Sequence, residues 1–241
     1  MKKENFLKKK LYRPEVDGLR AIAVIAVILN HFNSDILPSG YLGVDIFFVI
    51  SGFVITSSLE NRNKSKLGNF LLGFYERRVK RLIPALVFFV VIMSILISFF
   101  HIAPYGYLKT GITSLFGLSN IALFLKSRDY FAETTLLNPF THTWSLGVEE
   151  QFYFLYPLFI WFSGFGIKSS RGERNLLMIL IFSIIISLIS FTYFYTNNFN
   201  AAYYLMPMRF WEIAFGCTIF ILLKKKSIKE FISKISFTFI I

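Results

Sequence analysis

Apolar residues in this chain gather into long runs, with charged residues between them. Six runs have the length of a membrane-crossing helix: about 19–37, 42–59, 82–101, 144–163, 175–195 and 208–223. A seventh starts near Ile235 and stops at Ile241, inside an apolar run, which reads as an incomplete C-terminus. One further apolar segment, 111–125, has two glycines and an asparagine. It is shorter than the roughly 20 residues a full crossing needs. The pattern predicts an all-α, polytopic integral membrane bundle of six complete spans, a truncated seventh and a re-entrant or interfacial segment near 111–125, in one domain over 1–241.

Loop charge decides how 111–125 is treated. If it does not cross, segments 1–20, 60–81, 164–174 and 224–234 share one side and hold 22 of the 26 Lys and Arg residues. If it does cross, the last two segments move to the opposite side and the asymmetry largely collapses. The positive-inside rule therefore predicts a re-entrant or interfacial 111–125 and a cytoplasmic N-terminus, with 38–41, 102–143 and 196–207 facing outward.

Composition narrows the class. The chain is 55% hydrophobic with 30 Phe, beyond what a soluble domain of this size carries. Its net charge of +12 is spread between apolar runs, so it reads as topogenic loop charge and not as a nucleic-acid surface. The lone Cys217 excludes an internal disulfide. The basic start resembles a signal n-region, but no small-x-small cleavage site follows, so the first span is read as uncleaved.

Within the runs, polar residues collect at one depth. Asn30 and His31 lie in the outer half of the first span, Asp45 near the outer start of the second, His142, Trp144, Glu149, Glu150 and Gln151 at that of the fourth, and Arg209 and Glu212 at that of the sixth. A lone charge in lipid costs on the order of 2.5–3.5 kcal/mol by insertion scales, so these groups are expected to face one another or water. Arg209 and Glu212 are spaced i,i+3 and can pair on one helix face. A neutral histidine beside a carboxylate is a general base for a hydroxyl near neutral pH. The set therefore reads as an acid/base site with His31 as base and Asp45 or Glu149 orienting it. The plain alternative is an ion-pair network that holds the bundle together. No ligand spacing supports a metal.

Arg20 sits at the inner edge of the first span, about 16 Å along the helix from His31 on nearly the same face. A second basic set, Arg77, Arg78 and Arg81, falls in the inner 60–81 segment. On a helix these guanidiniums occupy neighbouring turns and suit bidentate phosphate recognition. Ordinary positive-inside charge is the alternative reading of this set.

The stretches Tyr12-Arg13-Pro14-Glu15-Val16-Asp17-Gly18-Leu19-Arg20, Gly40-Tyr41-Leu42-Gly43-Val44-Asp45, Arg77-Arg78-Val79-Lys80-Arg81, His142-Thr143-Trp144-Ser145-Leu146-Gly147-Val148-Glu149-Glu150-Gln151 and Arg209-Phe210-Trp211-Glu212 together resemble the acyltransferase 3 family of bacterial membrane O-acyltransferases. The resemblance covers nearly the whole chain and implies that the C-terminal third of a ten-span fold is missing. It implies transfer of an acyl group, commonly acetyl, from cytoplasmic acyl-CoA to a hydroxyl of a cell-envelope glycan, with no bound cofactor. Its Arg-(ten residues)-His feature falls on Arg20 and His31, and its basic acyl-CoA docking loop on Arg77, Arg78 and Arg81. Arg13, Asp17, Asn30, His142, Trp144, Glu150, Gln151, Arg209 and Glu212 form the supporting polar set. The implied partners are acyl-CoA, an envelope glycan and the bilayer. The other classes considered are a transporter, which inverted repeats would favour, and a non-catalytic envelope-assembly protein.

The charge asymmetry generates a topological prediction. With Cys217→Ser as background, Ser127→Cys is expected to react with an impermeant thiol reagent added outside intact cells, and Ser65→Cys is not. The reverse labelling pattern contradicts the orientation.

Overall fold

A computed structural model of the protein describes residues 14–60, 62, 66–128, 137–166 and 170–225. Arg13 and the expected seventh span lie outside the described residues. Among the described residues the chain is helical, without strands. The helices are α1 (Pro14–Phe32), α2 (Gly43–Glu60, preceded by a 3-10 turn at Gly40–Leu42), α3 (Leu67–Phe100), α4 (Tyr105–Leu115), α5 (Ser119–Lys126), α6 (Thr143–Ser163), α7 (Ser170–Asn197), α8 (Phe199–Tyr204) and α9 (Met206–Leu223). Four stretches among them are long and apolar enough to cross a membrane: Gly40–Glu60, Leu67–Phe100, Arg171–Asn197 and Phe199–Leu223. Two expected spans, α1 and α6, are not among these four. Each carries charge within its length: Glu15, Asp17 and Arg20 in α1, Glu149 and Glu150 in α6.

The core forms where α2 and α9 lie together. A Cβ added to Gly52 would run into the Ile213 carbonyl, and one added to Gly216 into the Val49 carbonyl. Only glycine allows backbones this close, the small-residue packing used between membrane helices. The two helices run parallel from this crossing. Seven residues before it on each, Asp45 meets Arg209; eight residues after it on each, Glu60 meets Lys224. Two turns of helix separate each ion pair from the glycines, so the crossing and both pairs share one register. Lys224 also binds Glu173 at 2.5 Å, which ties the start of α7 to the same end.

α3 starts at Leu67, well before the expected start of its span at 82. Phe70 and Phe74, one turn apart, are buried, so the apolar face continues below the basic residues and the helix with it. α3 then runs antiparallel to α6. Phe70 meets Trp161, the Tyr75 hydroxyl donates to the Phe154 carbonyl at 2.9 Å, Arg78 pairs with Glu150, and Phe89 packs on His142.

Segment 111–125 is not a single element. It belongs to a hairpin of α4 and α5, which turns at Gly117 with φ of 67°. Lys126 at the end of α5 lies 4.8 Å from the Tyr107 ring near the start of α4, so the chain enters and leaves this hairpin at one level. At its tip the Gly117 carbonyl accepts from Gln151 Nε2 at 2.9 Å, and Ser119 donates to the Thr143 carbonyl at 2.7 Å.

Gly216→Ala is expected to destabilise the protein by about 1–3 kcal/mol or more, because the helices must separate to admit the methyl group. Gly18→Ala meets open space in α1 and is expected to be neutral or mildly stabilising. Thermal unfolding in detergent distinguishes the two; equal tolerance would mean that α2 and α9 are not in backbone contact.

Candidate functional site

Three polar groups are built into the bundle, and they begin with Arg209. Its Nη1 donates to Asp45 at 3.1 Å and to Glu212 at 2.5 Å, and its Nε to the Tyr203 carbonyl at 3.4 Å. The guanidinium lies among the rings of Trp144, Tyr203 and Phe191, 5.5–5.9 Å from each. Trp144 packs in turn on Phe48 and Tyr203. Glu212 is 1% exposed, and its Oε2 has no hydrogen-bond partner. One guanidinium thus faces two carboxylates, the buried Glu212 and the partly exposed Asp45, against an aromatic wall.

The second group joins α2, α3 and α6. Buried Glu149 accepts from the Tyr153 hydroxyl at 3.1 Å and is hydrogen-bonded to Ser51. On the adjacent position Glu150 accepts from Arg78 Nη2 at 2.7 Å, and the Arg78 guanidinium lies 3.8 Å from the centre of the Tyr153 ring. Gln151 exchanges hydrogen bonds with Asn120, which also donates to the Tyr204 carbonyl. A third group, deeper in the bundle, joins Thr56, Tyr156 and Cys217; the two hydroxyls lie 2.7 Å apart.

His31 stands apart from these groups. Its Nδ1 lies 2.8 Å from the Val27 carbonyl of its own helix. A carbonyl only accepts, so this contact is a hydrogen bond in a form of the ring that carries the hydrogen on Nδ1, which leaves Nε2 for another partner. The residue is exposed and close enough to His142 for their charges to interact. Level with the start of α2, α1 presents Ala23 against Gly43 and Arg20 against the Phe47 ring. His31 lies eight residues beyond Ala23, about 12 Å further along the axis. The structure therefore brings Asp45 to Arg209 and Glu149 to Ser51 and Tyr153, and brings neither carboxylate to His31.

Several residues sit where the expected polar set needs them, with partners of their own. Asn30 donates to the Leu37 carbonyl at 3.0 Å and closes the turn after α1. Asp17 is exposed on the first turns of α1. His142 lies in the turn before α6, against Phe89. Arg77 and Arg81 are exposed on α3, whereas Arg78 is drawn inward. Ser51, Tyr153, Asn120 and Tyr203 were not anticipated. Tyr153 was legible in principle, since it lies i+4 from Glu149.

The family model for the acyltransferase domain matches residues 13–241. The chain belongs to the acyltransferase 3 family. Among similar proteins, the O-acetyltransferase OatA of Staphylococcus aureus is 36% identical over 224 residues, 92% of this chain and 37% of that protein. The peptidoglycan O-acetyltransferase OatA of Listeria monocytogenes is 36% identical over 211 residues, 86% of this chain and 33% of that protein. The chain thus spans about a third of the length of the relatives it matches. No solved structure matches it. The stretches that carry the acyltransferase 3 resemblance supply Asp45, Arg78, Trp144, Glu149, Glu150, Gln151, Arg209 and Glu212 to the first two polar groups.

Removing Arg209 strands two carboxylates, whereas removing Glu212 leaves the Asp45 pair intact. Arg209→Gln is therefore expected to destabilise the protein by about 3–5 kcal/mol, the cost of breaking a buried pair. Glu212→Gln should cost far less. Denaturation in detergent measures both, and a larger loss for Glu212→Gln would refute this division of charge.

Proposed function

We propose that the protein, in its full-length form, transfers an acetyl or other short acyl group from cytoplasmic acyl-CoA across the membrane to a hydroxyl of a cell-envelope glycan. The printed names of its relatives support an O-acetyl product, and the Listeria name supports peptidoglycan as the glycan class. The charge asymmetry supports a six-span, N-terminus-in topology. In that topology the end with Lys224 and Glu60 faces the cytoplasm and the His31–His142 end faces outward. The α4–α5 hairpin is then the re-entrant element, since its two ends share one level.

The observation that carries the reading is the state of His31. An exposed imidazole whose Nδ1 rests on the Val27 carbonyl can offer Nε2 as a base to a hydroxyl. Chemically, the thioester C–S bond breaks and an ester C–O bond forms. The hydroxyl loses a proton to Nε2, and the CoA sulfur gains one. Asp45 and Glu149 act through the bundle and not by orienting the ring: Asp45 fixes Arg209, and Glu149 fixes the α2–α6 contact. Arg77 and Arg81, exposed one turn apart on the inner part of α3, supply donors for the CoA phosphates, and Arg20 supplies charge at the inner part of α1.

His31→Gln keeps hydrogen-bonding capacity but cannot take the proton. In the full-length protein it is expected to lower glycan acetylation by about 10²–10⁴-fold, with the thermal midpoint unchanged. Loss of stability together with retained specific activity would return His31 to a packing role.

A further inference from the structure

Arg78 is the member of the basic set that the fold withdraws from solvent. Its Nε is buried without a partner, so the edge of the guanidinium that includes Nε is closed against the protein. The remaining two-donor edge is Nη1–Nη2, and Glu150 already holds Nη2 at 2.7 Å. Tyr153 covers one face of the ion at 3.8 Å. Both members of the pair keep partial access, with side chains 23% and 25% exposed. An anion that reaches Arg78 by its paired edge must therefore displace a carboxylate. A singly charged anion offers no advantage over Glu150. A phosphomonoester carries a charge of about −1.5 to −2 at neutral pH and three acceptor oxygens, so it does.

The pair also touches the hairpin. A Cβ on Gly117 would lie 3.2 Å from that of Glu150, and the neighbouring Gln151 is bonded to the Gly117 carbonyl. Glu150 is held between the hairpin tip on one side and Arg78 on the other.

We propose that Glu150 is a specificity-determining residue for the acyl donor: a displaceable counter-ion on Arg78 that admits a phosphomonoester and rejects weaker anions. The CoA 3′-phosphate is the group of that class, so the inference rests on the acyl-CoA reading given above. Glu150 does not touch the reacting atoms and acts only through Arg78.

The test is binding of CoA and 3′-dephospho-CoA to the full-length protein in nanodiscs, followed by calorimetry. The wild-type protein is expected to prefer CoA by tenfold or more. Glu150→Gln keeps the shape and removes the charge. With no carboxylate to displace, it should tighten CoA by about tenfold, leave 3′-dephospho-CoA unchanged and so widen the preference, and it should have no effect in an Arg78→Gln background. Glu150→Asp, which retracts the carboxylate by one methylene, should shift the ratio in the same direction if Glu150→Gln does not fold. An unchanged ratio in the Glu150 variants, with CoA binding still weakened by Arg81→Gln, overturns the role of Glu150 and leaves the donor reading standing. Failure of the wild-type protein to bind CoA, or indifference of CoA affinity to Arg77→Gln and Arg81→Gln together, overturns the donor reading and this proposal with it.

Discussion

Backbone contact between α2 and α9 is the constraint on which the rest of the structure depends. Gly52 and Gly216 let two parallel helices meet without intervening side chains. Once they meet there, register follows. Two turns one way, Asp45 faces Arg209; two turns the other way, Glu60 faces Lys224. Buried charge in an apolar bundle is tolerable only when it is paired. The glycines therefore do more than save space: they place the charges at matching heights. The aromatic wall of Trp144, Tyr203 and Phe191 then closes around Arg209 and draws α6, α7 and α8 onto the pair.

A second frame is set by α3 and α6, which are held antiparallel from Phe70–Trp161 to Phe89–His142. The hairpin of α4 and α5 reaches down to this frame and ends on the Glu150–Gln151 turn. The bundle thus has two fixed pairs of helices and one short element inserted from a single end. At the tip the Gly117 carbonyl accepts from Gln151 and the Ser119 hydroxyl donates to the Thr143 carbonyl, so these polar groups are met by protein, as the re-entrant reading proposed above requires. His31 lies outside both frames, on a helix whose only buried residue is Ala23. In the proposed reaction that exposed position is where His31 would meet the acceptor hydroxyl.

Much of this was legible from the order of residues. Long apolar runs gave the helices, and a short one with two glycines marked the hairpin, although the turn at Gly117 that splits it was not anticipated. The i,i+3 spacing of Arg209 and Glu212 foretold their bond. Sorting polar residues by depth placed Asp45 with them, even though 164 positions separate Asp45 from Arg209. The same sorting failed for Arg78 and Glu150. One was assigned to an inner loop and the other to an outer helix start, so their contact was invisible. The reason is physical: charge at the base of α3 was taken to mark loop, but Phe70 and Phe74 carry the helix on beneath it. Helix packing offset also cannot be read from one strand of sequence, and it was this offset that set His31 about 12 Å along α1 beyond the level where α1 meets the start of α2.

Side-resolved transfer in sealed vesicles tests the transmembrane route most directly. The full-length protein is reconstituted in one orientation, with glycan acceptor on the His31–His142 side and radiolabelled acetyl-CoA supplied to either face. The route requires labelled glycan only when acetyl-CoA is on the side of Arg77 and Arg81, with free CoA thiol appearing on that same side. Labelling when both substrates are confined to the His31–His142 side would contradict it.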